Sequence, residues 1–187
     1  MEKARMASIE KGVGEVLVSR EEIDEAVARI GKAVTEDFQG EDLVVIGILK
    51  GAVAFMADLM QAIDLPLEID FMAVSSYGTS TTSTGEVRIL KDLECTVEGR
   101  SVLIVEDIID TGITLSYLSK VMESRGAKRV SIAALLTKPA RRERAVQVDY
   151  VGYEVEDKFV VGYGIDYAEK YRNLPYVGAL KPSEYEK

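Results

Sequence analysis

The sequence contains no histidine and a single cysteine, Cys95. This excludes an internal disulfide, a Cys/His zinc site, a Ser-His or Cys-His nucleophilic pair and any imidazole acid or base. Chemistry on this chain must run on carboxylates, lysine, arginine, tyrosine or a hard cation. Long apolar runs are missing too. The longest, Leu43 to Leu49, is far too short to span a bilayer, and Met1-Glu2-Lys3-Ala4-Arg5 is followed by no apolar signal core. The expectation is a cytoplasmic protein with no membrane partner. Basic charge is in deficit, with 23 Lys and Arg against 32 Asp and Glu for a net charge of −9, which argues against nucleic acid bound through overall charge. What is present, 47% hydrophobic and 29% charged over 187 residues, is the composition of a globular domain able to bury a full core without staples.

Ser19 followed by Glu22 has capping-box spacing, and Ile23, Val27, Ile30 and Val34 recur on one helical face, which predicts an amphipathic helix over 20–38. Leu43 to Leu49 is a continuous apolar run of the kind a strand buried on both faces requires. Lys50-Gly51 ends it, 52–63 reads as a helix stopped near Pro66, and 67–74 alternates like a strand. The pattern then repeats, with a buried strand over 101–105, a helix over 114–125 ended by Gly126, and a strand over 130–136. Strand, helix, strand, twice over, predicts an α/β fold with a mostly parallel central sheet flanked by helices. No repeat or linker divides the chain, so residues 1–187 read as one domain. Ser75 to Gly85 (SSYGTSTTSTG) carries no charge and is long for a hairpin connection, and it reads as either an ordinary loop or a functional one. Near the C-terminus, Phe159 to Asp166 reads as a short strand ending in a carboxylate, followed by an aromatic, turn-rich tail of the sort that returns over a sheet to build a pocket.

The most informative segment is Val102 to Leu115, where a buried strand runs into Glu106-Asp107, then Asp110-Thr111-Gly112-Ile113-Thr114, then a helix start. Open α/β sheets bind ligands at this carboxyl edge, and Thr111, Gly112 and Thr114 offer backbone N–H groups and hydroxyls to a phosphate. Carboxylates beside a phosphate would repel it unless they face another part of the same ligand. Accepting hydrogen bonds from ribose hydroxyls, or lying near a Mg²⁺ that neutralises a second phosphate group, resolves the conflict. A structural cap or a purely structural cation site remains the other reading of the pair.

An acidic pair, two apolar residues, Asp-Thr-Gly and a hydroxyl resemble the phosphoribosyl diphosphate (PRPP) signature of type I phosphoribosyltransferases. Lys50-Gly51 resembles the family's pyrophosphate turn, and Ser76-Tyr77 resembles part of its mobile lid, here 75–85. Lys138, the run Asp-Lys-Phe-Val-Val-Gly-Tyr at 157–163, Asp166 and Arg172 resemble the hypoxanthine-guanine branch. Many members carry lysine or leucine where this chain has Ile113, which keeps backbone anion binding and removes one potential charge. The resemblance implies a core of about 36–150, with a hood from the N-terminal segment and about 151–187. It also implies transfer of a 5-phosphoribosyl group from PRPP to hypoxanthine or guanine, giving IMP or GMP and pyrophosphate, in a homodimer or homotetramer.

Roles follow from the same resemblance. Glu106 and Asp107 would hold the ribose, and with Asp166 they would lie at the Mg²⁺. Asp110 to Thr114 would grip the 5-phosphate, while Lys50, Gly51 and Arg172 would take pyrophosphate. Asp110 would exchange a proton at purine N7, Lys138 would donate to the carbonyl at C6, Phe159 would stack on the base, and Val160 and Asp166 would read its other edge. Read by themselves, Asp110 is equally a helix cap or Asx turn, Phe159 a core aromatic, and Lys50-Gly51 a helix-start turn. Arg141-Arg142-Glu143-Arg144 reads as a solvated helix face, and Cys95 as a small apolar residue near a turn.

Overall fold

Ser19 caps the first helix as its spacing implies. Its hydroxyl accepts from the Glu22 amide (3.2 Å), and the Glu22 carboxylate accepts from the Ser19 amide (2.7 Å). The computed structural model describes residues 10–76 and 87–186. In chain order these form β1 (Val13–Val18), α1 (Arg20–Asp37), β2 (Leu43–Leu49), α2 (Val53–Ala62), β3 (Leu67–Ser76), β4 (Val87–Lys91), β5 (Ser101–Ile109), α3 (Ile113–Ser124), β6 (Arg129–Thr137), β7 (Tyr150–Glu154), β8 (Val160–Val161), β9 (Val177–Leu180) and α4 (Pro182–Tyr185). Tyr77 and nearly all of the expected lid lie outside the described residues.

The larger sheet runs β4-β3-β2-β5-β6-β7, parallel throughout except for β4 at one edge. Its two faces have separate cores, which is why β2 is apolar at consecutive positions. Leu43 and Val45 join α1 and α2 on one side, and Val44, Ile46 and Ile48 join α3 on the other. The connection from β2 leads to β3 on one side, while β5 lies on the other, so the order reverses between β2 and β5. A crevice opens at the carboxyl ends of the strands at such a switch point.

A second, three-stranded antiparallel sheet, β1-β9-β8, joins the two ends of the chain. Helix α1 and strand β7 belong to the larger layer, which therefore spans a wider stretch than the expected 36–150. Strand β5 also outruns its expected end at Val105, because Glu106, Ile108 and Ile109 stay paired with Ala134, Leu136 and Thr137 of β6.

Asp70, 8% exposed on β3, ties the segment after β4 to the sheet. Burial pushes its carboxyl up, but N–H groups of Cys95, Phe71 and Glu94 outweigh this and hold it at about 2. Being depressed from 3.8, it contributes stability that is present above that value and lost as the pH falls towards 2. Asp70→Asn should therefore cost about 2 kcal/mol at neutral pH, with the gap closing through that acid window in urea unfolding curves. Cys95 packs beside this carboxylate, and burial pushes its thiol up to about 11, in keeping with an apolar structural role.

Candidate active site

Three chain reversals meet at the crevice. The first follows β2, where Leu49–Lys50 is a cis peptide and Gly51 leads into α2. Gly51 has no room for a side chain, since a Cβ there would overlap the carboxylate of Asp107. The second reversal is the glycine-rich segment 162–172, which turns through Gly162, Tyr163, Gly164, Ala168, Glu169 and Tyr171, all with positive φ. A Cβ on Gly164 would overlap the carbonyl oxygen of Gly51, so this segment lies flat against the first turn. Arg172 fastens it by donating to the Gly164 carbonyl (2.8 Å) and pairing with Asp166 (2.7 Å), while its Nε is buried without a partner. Lys50 reaches across to Glu169 (3.0 Å). Lys50, Gly51, Asp107, Asp166 and Arg172 are thus gathered in one place from three distant parts of the sequence.

The third reversal follows β5. Glu106 and Asp107 lie within the strand, not beyond it, with their carboxyls against each other. Asp107 faces Gly51, whereas Glu106 lines a cavity of about 280 Å³ with Ile108, Asp110, Thr111, Gly112 and Thr114. Gly112, at φ 80°, caps α3, and Ile113 opens that helix. Burial and the neighbouring Asp107 charge push the Glu106 carboxyl well up, and burial pushes Asp107 up. Adjoining carboxylates that resist joint ionisation fit a divalent cation, which supplies the charge they lack.

Among the described residues no group of three acidic or cysteine side chains forms a ready cation site. The expected trio Glu106, Asp107 and Asp166 is therefore not brought together as such. Asp166 is engaged instead by Arg172 and by the Glu169 amide (2.9 Å).

A second cavity, of about 380 Å³, adjoins the phosphate-loop cavity and shares Ile108 and Asp110 with it. Lys138, Phe159, Val160 and Asp166 line it as well. Lys138 is 6% exposed and donates to the Lys158 carbonyl (2.6 Å). Phe159 is 44% exposed, so its ring is a cavity-lining platform and not a core aromatic. The side chain of Ser76 and all of Tyr77 fall outside what is described.

The phosphoribosyl transferase domain family matches residues 19–168. The chain belongs to the phosphoribosyltransferase family. It is 56% identical to the hypoxanthine-guanine phosphoribosyltransferase of Bacillus subtilis (strain 168), over 93% of this chain and 97% of that one. The protein of the same name from Staphylococcus epidermidis (strain RP62A) is 51% identical, over 95% and 99% of the two chains. Among solved structures, a hypoxanthine phosphoribosyltransferase from Staphylococcus aureus superposes with a TM-score of 0.93 at 48% identity, covering 96% of this chain and 98% of that one.

The segment after Lys138 is solvated as expected but is not helical: Pro139–Arg141 is one 3-10 turn, and it brings the chain back onto the phosphate loop. The amides of Glu143 and Arg144 both donate to the Thr111 carbonyl (3.0 Å each), and Arg142 donates to Thr137 (2.7 Å). Arg141 lines the larger cavity, with its Nε 3.0 Å from Asp110 and its Nη1 3.4 Å from Asp157. Lys138-Pro139 directly after an apolar strand was the available signal, because proline restarts the chain in a turn at the strand end. Gly164 and Tyr185 lie in the aromatic, turn-rich segment that the sequence marks as pocket-building, but nothing local singles out either residue.

Proposed function

We propose that the protein is a purine-salvage enzyme that transfers the 5-phosphoribosyl group from PRPP to hypoxanthine or guanine, yielding IMP or GMP and pyrophosphate. The observation that carries this reading is the pair of cavities sharing Asp110 and Ile108, one on the phosphate loop and one with Lys138 and Phe159. A nucleotide has this shape, with phosphate and ribose in one compartment and the base in the next. The relatives' names agree with it.

Thr111, Gly112, Ile113 and Thr114 grip the 5-phosphate at the start of α3, and Glu106 and Asp107 accept from the ribose hydroxyls. Lys50, Gly51 and Arg172 hold pyrophosphate, for which the unpartnered Nε of Arg172 is a ready donor. Glu106 and Asp107 are the residues that would lie at a Mg²⁺ whose main ligands are substrate oxygens. The cation neutralises the charge that develops on the leaving group as the bond at ribose C1 breaks. Asp110 exchanges the N7 proton, Phe159 stacks on the base, and Val160 and Asp166 border its far edge. Among the described residues no helix is long and apolar enough to cross a membrane. A cytoplasmic homodimer or homotetramer completes the proposal.

Absorbance assays with PRPP, Mg²⁺ and each base test it. Hypoxanthine and guanine should turn over, and adenine should be slower in kcat/KM by at least about thirtyfold. Lys138 facing the adenine amino group leaves two donors unpaired, at about 1 kcal/mol or more each. Adenine turnover equal to that of hypoxanthine would refute the role of Lys138, and no transfer to any base would refute the function.

A further inference from the structure

Phe159 is 44% exposed and lines the base cavity, and two tyrosines hold its ring. Tyr167 meets it edge-on, with centroids 5.3 Å apart and planes at 88°, and Tyr185 of α4 stacks on it at 5.1 Å and 24°. Tyr185 also lines the larger cavity beside Phe159, and both rings line a further cavity of about 400 Å³ bounded by Glu15, Ala179, Leu180 and Pro182 of the smaller sheet and tail. The stacked rings therefore form the partition between the base cavity and the hood cavity. Centroids 5.1 Å apart leave no space for a planar base between the rings, because stacking on both faces of a base would require nearly twice the aromatic spacing. Tyr185 is a brace for Phe159, and the base must stack from the cavity that also holds Asp110 and Lys138.

The tail is fixed where such a brace requires. The Leu180 amide donates to the carbonyl of Phe159 itself (2.7 Å), the Lys181 amide donates to Gly12 (2.9 Å), and Lys181 Nζ donates to Lys11 (2.7 Å). Tyr185 packs with Val161, Leu174 and Leu180 in the small hood core. Backbone and ring contacts thus both run from the last strand and helix to Phe159.

We infer that Tyr185 is a positioning residue for the purine site, ordering Phe159 as a stacking platform before the base arrives. This rests on the functional reading above and adds a residue to it. A platform ordered in advance spares the base the cost of immobilising it, and an aromatic pair of this geometry corresponds to about two- to tenfold in an equilibrium constant. In Tyr185→Ala the KM for hypoxanthine should rise by about that factor, while kcat and the KM for PRPP stay at the parent values. Tyr185→Phe keeps the ring and should match the parent.

Calorimetric titration of GMP, without turnover, should show the same loss of affinity in Tyr185→Ala. An unchanged hypoxanthine KM and GMP affinity in Tyr185→Ala would overturn the inference, as would an equal rise in the KM for PRPP, which would mark a general disturbance of the fold. If the parent shows no transfer at all, the functional reading fails separately and the GMP titration still decides the role of Tyr185.

Discussion

Asp110→Asn should lower the single-turnover rate of phosphoribosyl transfer by about 10²- to 10⁴-fold, the range of a positioned acid or base, with PRPP affinity nearly unchanged. An amide cannot take the N7 proton. The three acidic residues of the segment differ in setting: Asp107 abuts Gly51, Glu106 lines the phosphate-loop cavity, and Asp110 lines that cavity and the base cavity. Asp107→Asn should accordingly weaken PRPP binding more than it slows chemistry.

The ion pair of Asp110 with Arg141 does not confuse the result. Both side chains are nearly half exposed, and such pairs contribute less than about 1 kcal/mol, or under about tenfold. Steady-state rates would understate the effect if product release limits turnover, so rapid-quench measurement of one turnover is required. A rate within about threefold of the parent, far below the acid-base range, would leave Asp110 as a residue that shapes the loop.

The repeated strand-helix units were legible because each carries its own local signal. The capping box at Ser19, the doubly apolar β2 and the Gly126 stop each reflect forces within a few residues, and the helices and parallel strands they imply are present. The small sheet was not legible in this way. Strands β1 and β9 are joined only by pairing such as Val13 with Leu180, and β1 is too short and too exposed to announce itself without its partner. The acidic pair illustrates a subtler limit. Its residues are recognisable in the sequence, but their place inside the strand comes from β5 running on to Ile109, which depends on the β6 ladder. Arg141 is as solvated as mixed charge leads one to expect, but the 3-10 turn after Pro139 places it at the mouth of the site, which charge pattern alone does not reveal.

Gly51→Ala should reduce kcat/KM for PRPP by about 10²- to 10³-fold, measured well below the Tm of the variant. The added methyl would lie on the Asp107 carboxylate, so either the turn or the carboxylate must move. On the other side the turn has no freedom, because the Gly51 carbonyl lies in the space a side chain at Gly164 would fill. A shift of about 1 Å in a positioning group costs on the order of 10²-fold, and loss of a preorganised donor to developing charge costs 10²- to 10³-fold.

Gly164→Ala, at φ 98°, should act in the same direction by pressing on the same carbonyl. Residues that conflict sterically are not independent, so a double-mutant cycle separates the clash from other effects. Trimming the carboxylate in Asp107→Ala makes room for the methyl, and Gly51→Ala should then cost far less in that background than in the parent. If Gly51→Ala costs the same in both backgrounds, the contact between the β2 turn and the β5 acid is not what sets the pyrophosphate side of the site. If it costs less than about tenfold in the parent, well under the loss of a single preorganised donor, the turn is not a rigid part of the machinery at all.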